Sequence, residues 1–109
     1  MMGLFSGRKK KKDVGDLYRR IDKKPLRYVT ERDMETYVET VIGRSGRINI
    51  YQDGIITIDC DGKEIFRAEL AEAEVGELMS LEGAVIKGKD LNSGKLRSIV
   101  AYYKYYRKV

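Results

Sequence analysis

Residues 47–70 read RINIYQDGIITIDCDGKEIFRAEL, three isoleucine-rich runs separated by two Asp-Gly pairs. Within these runs apolar and polar residues alternate, which is the pattern of a strand with one buried face. Asp-Gly supplies the positive φ angles of a type I′ turn, and between β-branched runs it is the strongest local signal of a hairpin. The segment therefore predicts a three-stranded antiparallel meander with strands over 47–52, 55–60 and 63–70.

The segment after the meander predicts a helix and then a second hairpin. Residues 71–81 are rich in Ala, Glu, Leu and Met, with apolar residues at helical spacing, which favours a short helix. Residues 84–89 and 96–106 flank a loop of turn formers over 90–95, which is typical of a hairpin. The last arm also fits a helical spacing, but its density of β-branched and aromatic residues favours a strand.

The segment before the meander predicts a longer helix over 30–42. Thr30 is a suitable cap, and Gly43 follows the last apolar pair. The apolar residues fall at i, i+3, i+4, i+7 and i+8 and so form one helical face: Met34, Tyr37, Val38, Val41 and Ile42. The opposite, charged face is either a solvated surface or an interaction surface. A shorter amphipathic helix is predicted over 13–22.

Together these elements predict an α+β fold, in which a mainly antiparallel sheet of about five strands (the three-stranded meander plus the hairpin) packs against one or two helices. A small half-open barrel is the alternative architecture. Residues 1–12 are predicted to be a disordered basic N-terminal tail, and residues 13–109 a single α+β domain.

The net charge of +5 comes from that tail, which contains five consecutive bases and no acid, so the rest of the chain is balanced. Within the balanced part, residues 59–82 hold eight acids and two bases, whereas residues 83–109 hold seven bases and one acid. We expect these two segments to neutralise each other in space. The alternative is a dipolar surface that docks a charged partner or a second copy.

The residue inventory excludes most catalytic chemistries. The chain has no histidine, which removes Ser-His-Asp and Cys-His nucleophiles and imidazole-based metal sites. Cys60 is the single cysteine, so no internal disulfide can form, and we expect a buried strand residue. The sequence therefore predicts a protein that is not an enzyme and has no cofactor, no metal site and no evident small-molecule substrate. Without a secretory signal or a long apolar stretch, a cytoplasmic location is predicted.

The sequence leaves three functions open. The first is a small non-catalytic binding or assembly module that contacts a protein partner or its own second copy. The second is a protein that binds single-stranded nucleic acid through rings and cations near the C-terminus, namely Tyr102, Tyr103, Lys104, Tyr105, Tyr106, Arg107 and Lys108. The third is a peripheral protein whose tail contacts an anionic membrane surface through Arg8, Lys9, Lys10, Lys11 and Lys12.

Overall fold

Seven antiparallel strands form one sheet in the computed structural model, which describes residues 15–105. A short helix, α1, includes residues 15–21. The strands are β1 (Pro25–Arg32), β2 (Glu39–Ile50), β3 (Ile55–Cys60), β4 (Lys63–Glu69), β5 (Glu74–Glu77), β6 (Gly83–Asp90) and β7 (Lys95–Tyr103). Their order across the sheet is β4-β3-β2-β1-β7-β6-β5, so the first and last strands in sequence pair at its centre.

The meander and the second hairpin are confirmed as β2-β3-β4 and β6-β7. At the β3–β4 turn, Asp61 and Gly62 both have positive φ, 53° and 78°, as a type I′ turn requires. The β2–β3 connection differs from the prediction. Only Gly54 has a positive φ there, and its N–H donates to the Tyr51 carbonyl, which makes a longer hairpin loop than a two-residue turn.

The predicted helix over 30–42 is wrong, because this segment is the end of β1, a turn, and the start of β2. The side chain of Asp33 accepts hydrogen bonds from the N–H groups of Glu35 and Thr36, and so it stabilises a turn that competes with a helix. Tyr37 has a φ of 63°, outside the helical region. The β-branched residues on both sides then pair as strands, with Thr30 opposite Val41.

The predicted helix over 71–81 is also wrong. The chain makes a single 3₁₀ turn at Leu70–Glu72 and then continues as β5, which pairs with β6 along its length. Pairing with a neighbouring strand overrides the helical preference of a segment rich in Ala and Glu. The α+β class with about five strands is therefore incorrect. The described chain is mostly antiparallel sheet, curled into a half-barrel, with one short helix.

The hydrophobic core lies on the concave side of this curled sheet, and α1 covers it with Leu17 and Ile21. Alternate residues of β3, β4, β6 and β7 belong to it, as the period of two requires, whereas in β1 a register shift separates the core residues Leu26 and Val29 by three positions. Cys60 is buried there as predicted. The buried strand residues of the core are Leu26, Val29, Ile48, Ile56, Ile58, Cys60, Phe66, Ala68, Ala84, Ile86, Ile99, Ala101 and Tyr103.

A polar cluster ties edge strand β4 to the β6–β7 hairpin and so fixes the curl. Asp90, at the end of β6, accepts hydrogen bonds from the Arg97 guanidinium at 2.7 Å and from the Arg67 N–H at 3.3 Å. The Leu91 N–H donates to the Arg67 carbonyl at 2.7 Å. Arg97 also pairs with Glu31 at 2.8 Å. Burial alone would raise the pKa of Asp90, but these hydrogen bonds outweigh it and lower that pKa.

Candidate interaction surfaces

The turn between β1 and β2 holds large apolar side chains in solvent. The Asp33 carboxylate accepts N–H bonds from Glu35 at 2.8 Å and from Thr36 at 3.0 Å, and these bonds lower its pKa. The Tyr37 N–H donates to the Asp33 carbonyl at 2.7 Å, which fixes the turn. We call the exposed set the hairpin patch: Met34 (38% exposed), Tyr37 (70%), Val38 (63%) and Val41 (44%).

These four residues belong to the apolar face of the helix that the sequence predicted. Because the segment forms a hairpin instead, Met34, Tyr37 and Val38 lie exposed on the turn, and Val41 lies exposed on β2 opposite Thr30 of β1. Sequence reasoning found the residues and assigned them the wrong environment. Contiguous exposed apolar side chains are uncommon on a monomeric protein and mark sites of interaction.

A groove of about 410 Å³ adjoins the hairpin patch. Met34 and Tyr37 line one side, β5 lines the other, and Val85 of β6 contributes apolar surface. Arg32 and Lys87 add two cations, and the remaining lining residues are Glu74, Val75, Gly76 and Ser98. A second groove of about 350 Å³ shares Arg32, Met34 and Ser98 with the first, so Met34 stands between two grooves.

The Glu39 carboxylate connects the start of β2 to β1 and to β7, the strand on the far side of β1. It accepts hydrogen bonds from the Thr30 hydroxyl at 2.7 Å, the Tyr102 hydroxyl at 2.8 Å and the Arg32 guanidinium at 3.1 Å. Burial would raise the pKa of Glu39, but these donors outweigh it and lower that pKa. Burial and the bond to Glu39 raise the pKa of Tyr102 to about 12, so its hydroxyl remains a donor at neutral pH.

The tyrosine-rich segment predicted to stack on nucleic acid is divided between the core and the surface. Tyr103 is 2% exposed and donates its hydroxyl to Glu77 at 2.8 Å, so its ring is not accessible to a base. Tyr102 is half-buried, with its ring centroid 4.8 Å from that of Tyr28. Lys104 and Tyr105 are exposed. Tyr106, Arg107 and Lys108 lie outside the described residues, as do Arg8, Lys9, Lys10, Lys11 and Lys12 of the predicted tail.

A second surface, which sequence reasoning missed, lies at the other end of β1. Arg44 of β2 is directly opposite Tyr28 of β1, and Tyr28 is directly opposite Tyr102 of β7, so the three form a row on one face. The Arg27 guanidinium lies over both rings, 5.4 Å from the centroid of Tyr28 and 6.0 Å from that of Tyr102. Arg47 lies on β2 opposite Pro25, and the Lys104 N–H donates to the Pro25 carbonyl, so two further exposed cations lie near the start of β1. We call the four cations Arg27, Arg44, Arg47 and Lys104 the basic face.

The expected neutralisation between the acidic segment 59–82 and the basic segment 83–109 takes a different form. Their strands β5 and β6 are neighbours, with Glu74 opposite Lys87. No ion pair of the described chain, however, joins an acid of the first segment to a base of the second. Glu77 and Glu82 instead pair with Arg20 and Arg27 from the N-terminal part. The exposed lysines of residues 83–105 therefore form no short ion pair with a described residue.

Cys60 carries the side chain most suited to covalent chemistry, but its environment suppresses the reactivity of the thiol. Burial, with a smaller contribution from two neighbouring aspartates, raises its pKa to about 11, so the thiol is protonated at neutral pH. Within residues 15–105, no group of three or more Cys, Asp or Glu side chains is arranged to hold a metal ion.

Comparisons of the chain with protein-family models, with curated proteins and with solved structures find no match. Among the described residues, no helix has both the length and the apolar character needed to cross a membrane. Candidate functions for this chain accordingly rest on the geometry of the hairpin patch and the basic face.

Proposed function

We propose that this protein is a small non-catalytic assembly module that associates with a second copy of itself through the hairpin patch and the adjoining groove. The observation that carries the proposal is the exposure of four large apolar side chains at the β1–β2 turn and the start of β2, two of which, Met34 and Tyr37, line a groove of about 410 Å³. The Tyr37 ring projects from the hairpin patch beside this groove. In a dimer with a two-fold axis, the Tyr37 ring of each copy can therefore enter the groove of the other copy.

Charge complementarity supports a second copy as the occupant. The tip of the hairpin carries the acids Asp33 and Glu35 and has no base between Asp33 and Val41. The groove is lined by the cations Arg32 and Lys87 and by one acid, Glu74. Arg32 already pairs with Glu39 at 3.1 Å, so Lys87 is the groove cation that an acidic tip can approach.

The exposed area suggests weak association. An aromatic side chain carries about 200 Å² of surface, so the 70% exposure of Tyr37 leaves about 140 Å² to bury, worth about 3.5 kcal/mol at 25 cal/mol per Å². Two such rings contribute about 7 kcal/mol, and the partly exposed aliphatic residues bring the gain to about 10 kcal/mol. At the low end of the roughly 4–15 kcal/mol that association costs in lost freedom of motion, about 6 kcal/mol remains, so we expect a dissociation constant of about 40 µM.

The test is sedimentation velocity at concentrations from about 10 µM to about 1 mM, a range that brackets this affinity. The variant is Tyr37→Asn, chosen because asparagine tolerates the positive φ of 63° at this position and keeps the turn intact. The matched control is Met79→Ser, which removes a fully exposed methionine in the β5–β6 turn, outside the hairpin patch. We expect a concentration-dependent dimer in the wild type and the control, and a monomer in Tyr37→Asn.

A charge exchange makes the test specific to the proposed contact. Lys87→Glu should weaken the dimer, and adding Glu35→Lys to the same chain should restore it, because each tip then meets a groove of the opposite sign. A wild type that stays monomeric at about 1 mM would contradict the proposal, since a contact of this size predicts dimers at that concentration. So would a dimer that tolerates Tyr37→Asn.

A further inference from the structure

The basic face draws its four cations from three neighbouring strands of the sheet. Arg27 lies on β1, Arg44 and Arg47 lie on β2 opposite Tyr28 and Pro25, and Lys104 follows the end of β7. The Lys104 N–H donates to the Pro25 carbonyl at 2.9 Å, which holds this residue beside the start of β1. Arg27 and Lys104 line a groove of about 320 Å³ together with Pro25, Leu26, Ser45 and Gly46, and Arg44 and Arg47 flank Ser45 and Gly46 in the chain.

Few acids offset these cations. Glu82 pairs with Arg27 at 3.5 Å, a long ion pair at a half-exposed position. Asp59 lies opposite Arg47 in the sheet and lines a groove with it, and its carboxylate accepts a hydrogen bond from the neutral Asn49 amide at 2.8 Å, so it keeps a negative charge beside Arg47. The other three cations of the basic face form no ion pair with a described residue. The face therefore has an excess of positive charge available to a ligand.

Aromatic rings lie among these cations. Tyr28 and Tyr102 contact each other with their planes tilted by 35°, and the Arg27 guanidinium lies over both rings. Tyr105 is 69% exposed, and the Lys104 ammonium is 5.7 Å from the centre of its ring. Arginines and lysines that follow a phosphate backbone, together with a ring on which a base can stack, are the combination that binds single strands without strong sequence preference.

We propose that the basic face binds the backbone of single-stranded nucleic acid, with Arg44, Arg47 and Lys104 on the phosphates and Tyr105 as the stacking ring. A nucleic acid fits better than an anionic membrane, because the Tyr105 ring beside the cations can stack on a base, whereas the three aliphatic residues of the hairpin patch, which could enter a bilayer, lie toward the opposite end of β1. The proposal is independent of self-association, since the hairpin patch and the basic face share no residue.

The size of the salt effect follows from the number of cations. Three phosphate contacts on a single strand give a slope of log affinity against log salt of about −2.1, or about an 18-fold loss between 50 and 200 mM salt. Removing two of the contacts reduces the slope to about −0.7 and leaves about a threefold loss. The slope therefore reports the number of contacts without requiring the absolute affinity to be known beforehand.

The experiment measures fluorescence anisotropy of a labelled 12-nucleotide single-stranded RNA, and of the DNA of the same sequence, at both salt concentrations. The test variant is Arg44→Ala/Arg47→Ala, which removes two exposed arginines of the basic face. The matched control is Lys89→Ala/Lys95→Ala, which removes the same charge from exposed positions on the β6–β7 hairpin. We expect the shallower salt slope only in the arginine variant, with circular dichroism spectra alike in all three proteins.

A second variant separates nucleic acid from other anions. Tyr105→Ala should weaken RNA binding by at least about fivefold, the lower end for one stacked base, and leave the binding of inorganic polyphosphate unchanged. Three outcomes would overturn the proposal: no RNA or DNA binding at 50 mM salt, equal salt slopes in the arginine variant and the lysine control, or unchanged RNA binding in Tyr105→Ala. If the protein binds vesicles of anionic phospholipid but not RNA, and Arg44→Ala/Arg47→Ala abolishes the vesicle binding, the basic face is a membrane-binding surface instead.

Discussion

Replacing Asp90 by alanine tests whether the polar cluster between β4 and the β6–β7 hairpin holds the half-barrel closed. The Asp90 side chain is 2% exposed and accepts bonds from the Arg97 guanidinium and from the N–H groups of Arg67 and Asn92. The alanine variant loses all three bonds. It also leaves the Arg67 N–H on edge strand β4 without this acceptor, so the contact between β4 and β6 is weakened at its centre.

The magnitude follows from the charges that remain. Removing one partner of a buried ion pair costs about 3–5 kcal/mol, because the other charge stays buried. Arg97 retains Glu31, with guanidinium-to-carboxylate distances of 2.8 and 3.1 Å, and its own side chain is 18% exposed. The cost should therefore lie at the low end, at about 3 kcal/mol of the free energy of unfolding.

Urea unfolding at pH 7, followed by circular dichroism, measures this change, with Asp53→Asn at the exposed β2–β3 turn as the control. We expect the control to stay within about 0.5 kcal/mol of the wild type. If Asp90→Ala lowers the free energy of unfolding by less than about 1 kcal/mol, the reasoning is refuted, because the polar cluster then does not hold β4 in place.

The pH dependence gives the same hypothesis a second test. The pKa of Asp90 is lower in the folded protein than in the unfolded chain, so its carboxylate contributes fully above the unfolded pKa of about 4. The contribution is lost as the pH falls through the lower, folded pKa. The stability difference between wild type and Asp90→Asn should therefore shrink below about pH 4. A difference that stays constant from neutral pH to acid pH would exclude a role for the ionised carboxylate.

Two further predictions concern backbone packing and the thiol. A Cβ at position 46 would collide with the Asp59 carbonyl oxygen, so Gly46→Ala should lower the melting temperature by roughly 10 °C, whereas Gly76→Ala, with nothing within 4 Å, should shift it by less than about 3 °C. Equal melting temperatures in the two variants would contradict this. Cys60 is 3% exposed with its pKa raised to about 11, so a thiol reagent at pH 8 should label it only in denaturant. Rapid labelling of the native protein would disprove its burial.

The parts of the fold that the sequence predicts are those fixed by local signals. The turn chemistry of Asp61-Gly62 and the alternation around it define the meander without reference to the rest of the chain. Over 30–42 the local signals conflict, since a helical spacing of apolar residues coincides with many β-branched ones. The conflict is resolved by pairing: β1 lies between β2 and β7, and the β7 residue opposite Thr30 is Val100. The spacing of apolar residues within 30–42 carries no information about that partner, because Val100 lies far outside the segment.

The same distinction explains which functional residues the sequence could identify. The sequence identifies the residues of the hairpin patch as apolar residues at helical spacing. Whether these residues are buried or exposed depends on the strand pairing around them, which the spacing does not reveal. The basic face is invisible in the sequence, because Arg44, Tyr28 and Tyr102 become neighbours only through the pairing of β1 with two distant strands. Conversely, the tyrosine-rich segment is conspicuous in the sequence, yet strand alternation sends Tyr103 into the core.

The two proposed surfaces can act at the same time because β1 separates them. Arg32 borders the groove beside the hairpin patch, and Arg27 belongs to the basic face. At about 3.3 Å per residue, these two positions on β1 are about 17 Å apart. A dimer formed through two hairpin patches would leave both basic faces uncovered, because the hairpin patch and the basic face share no residue. A strand long enough to span them would bind the second face at a high effective concentration, so weak self-association and weak nucleic acid binding would strengthen each other.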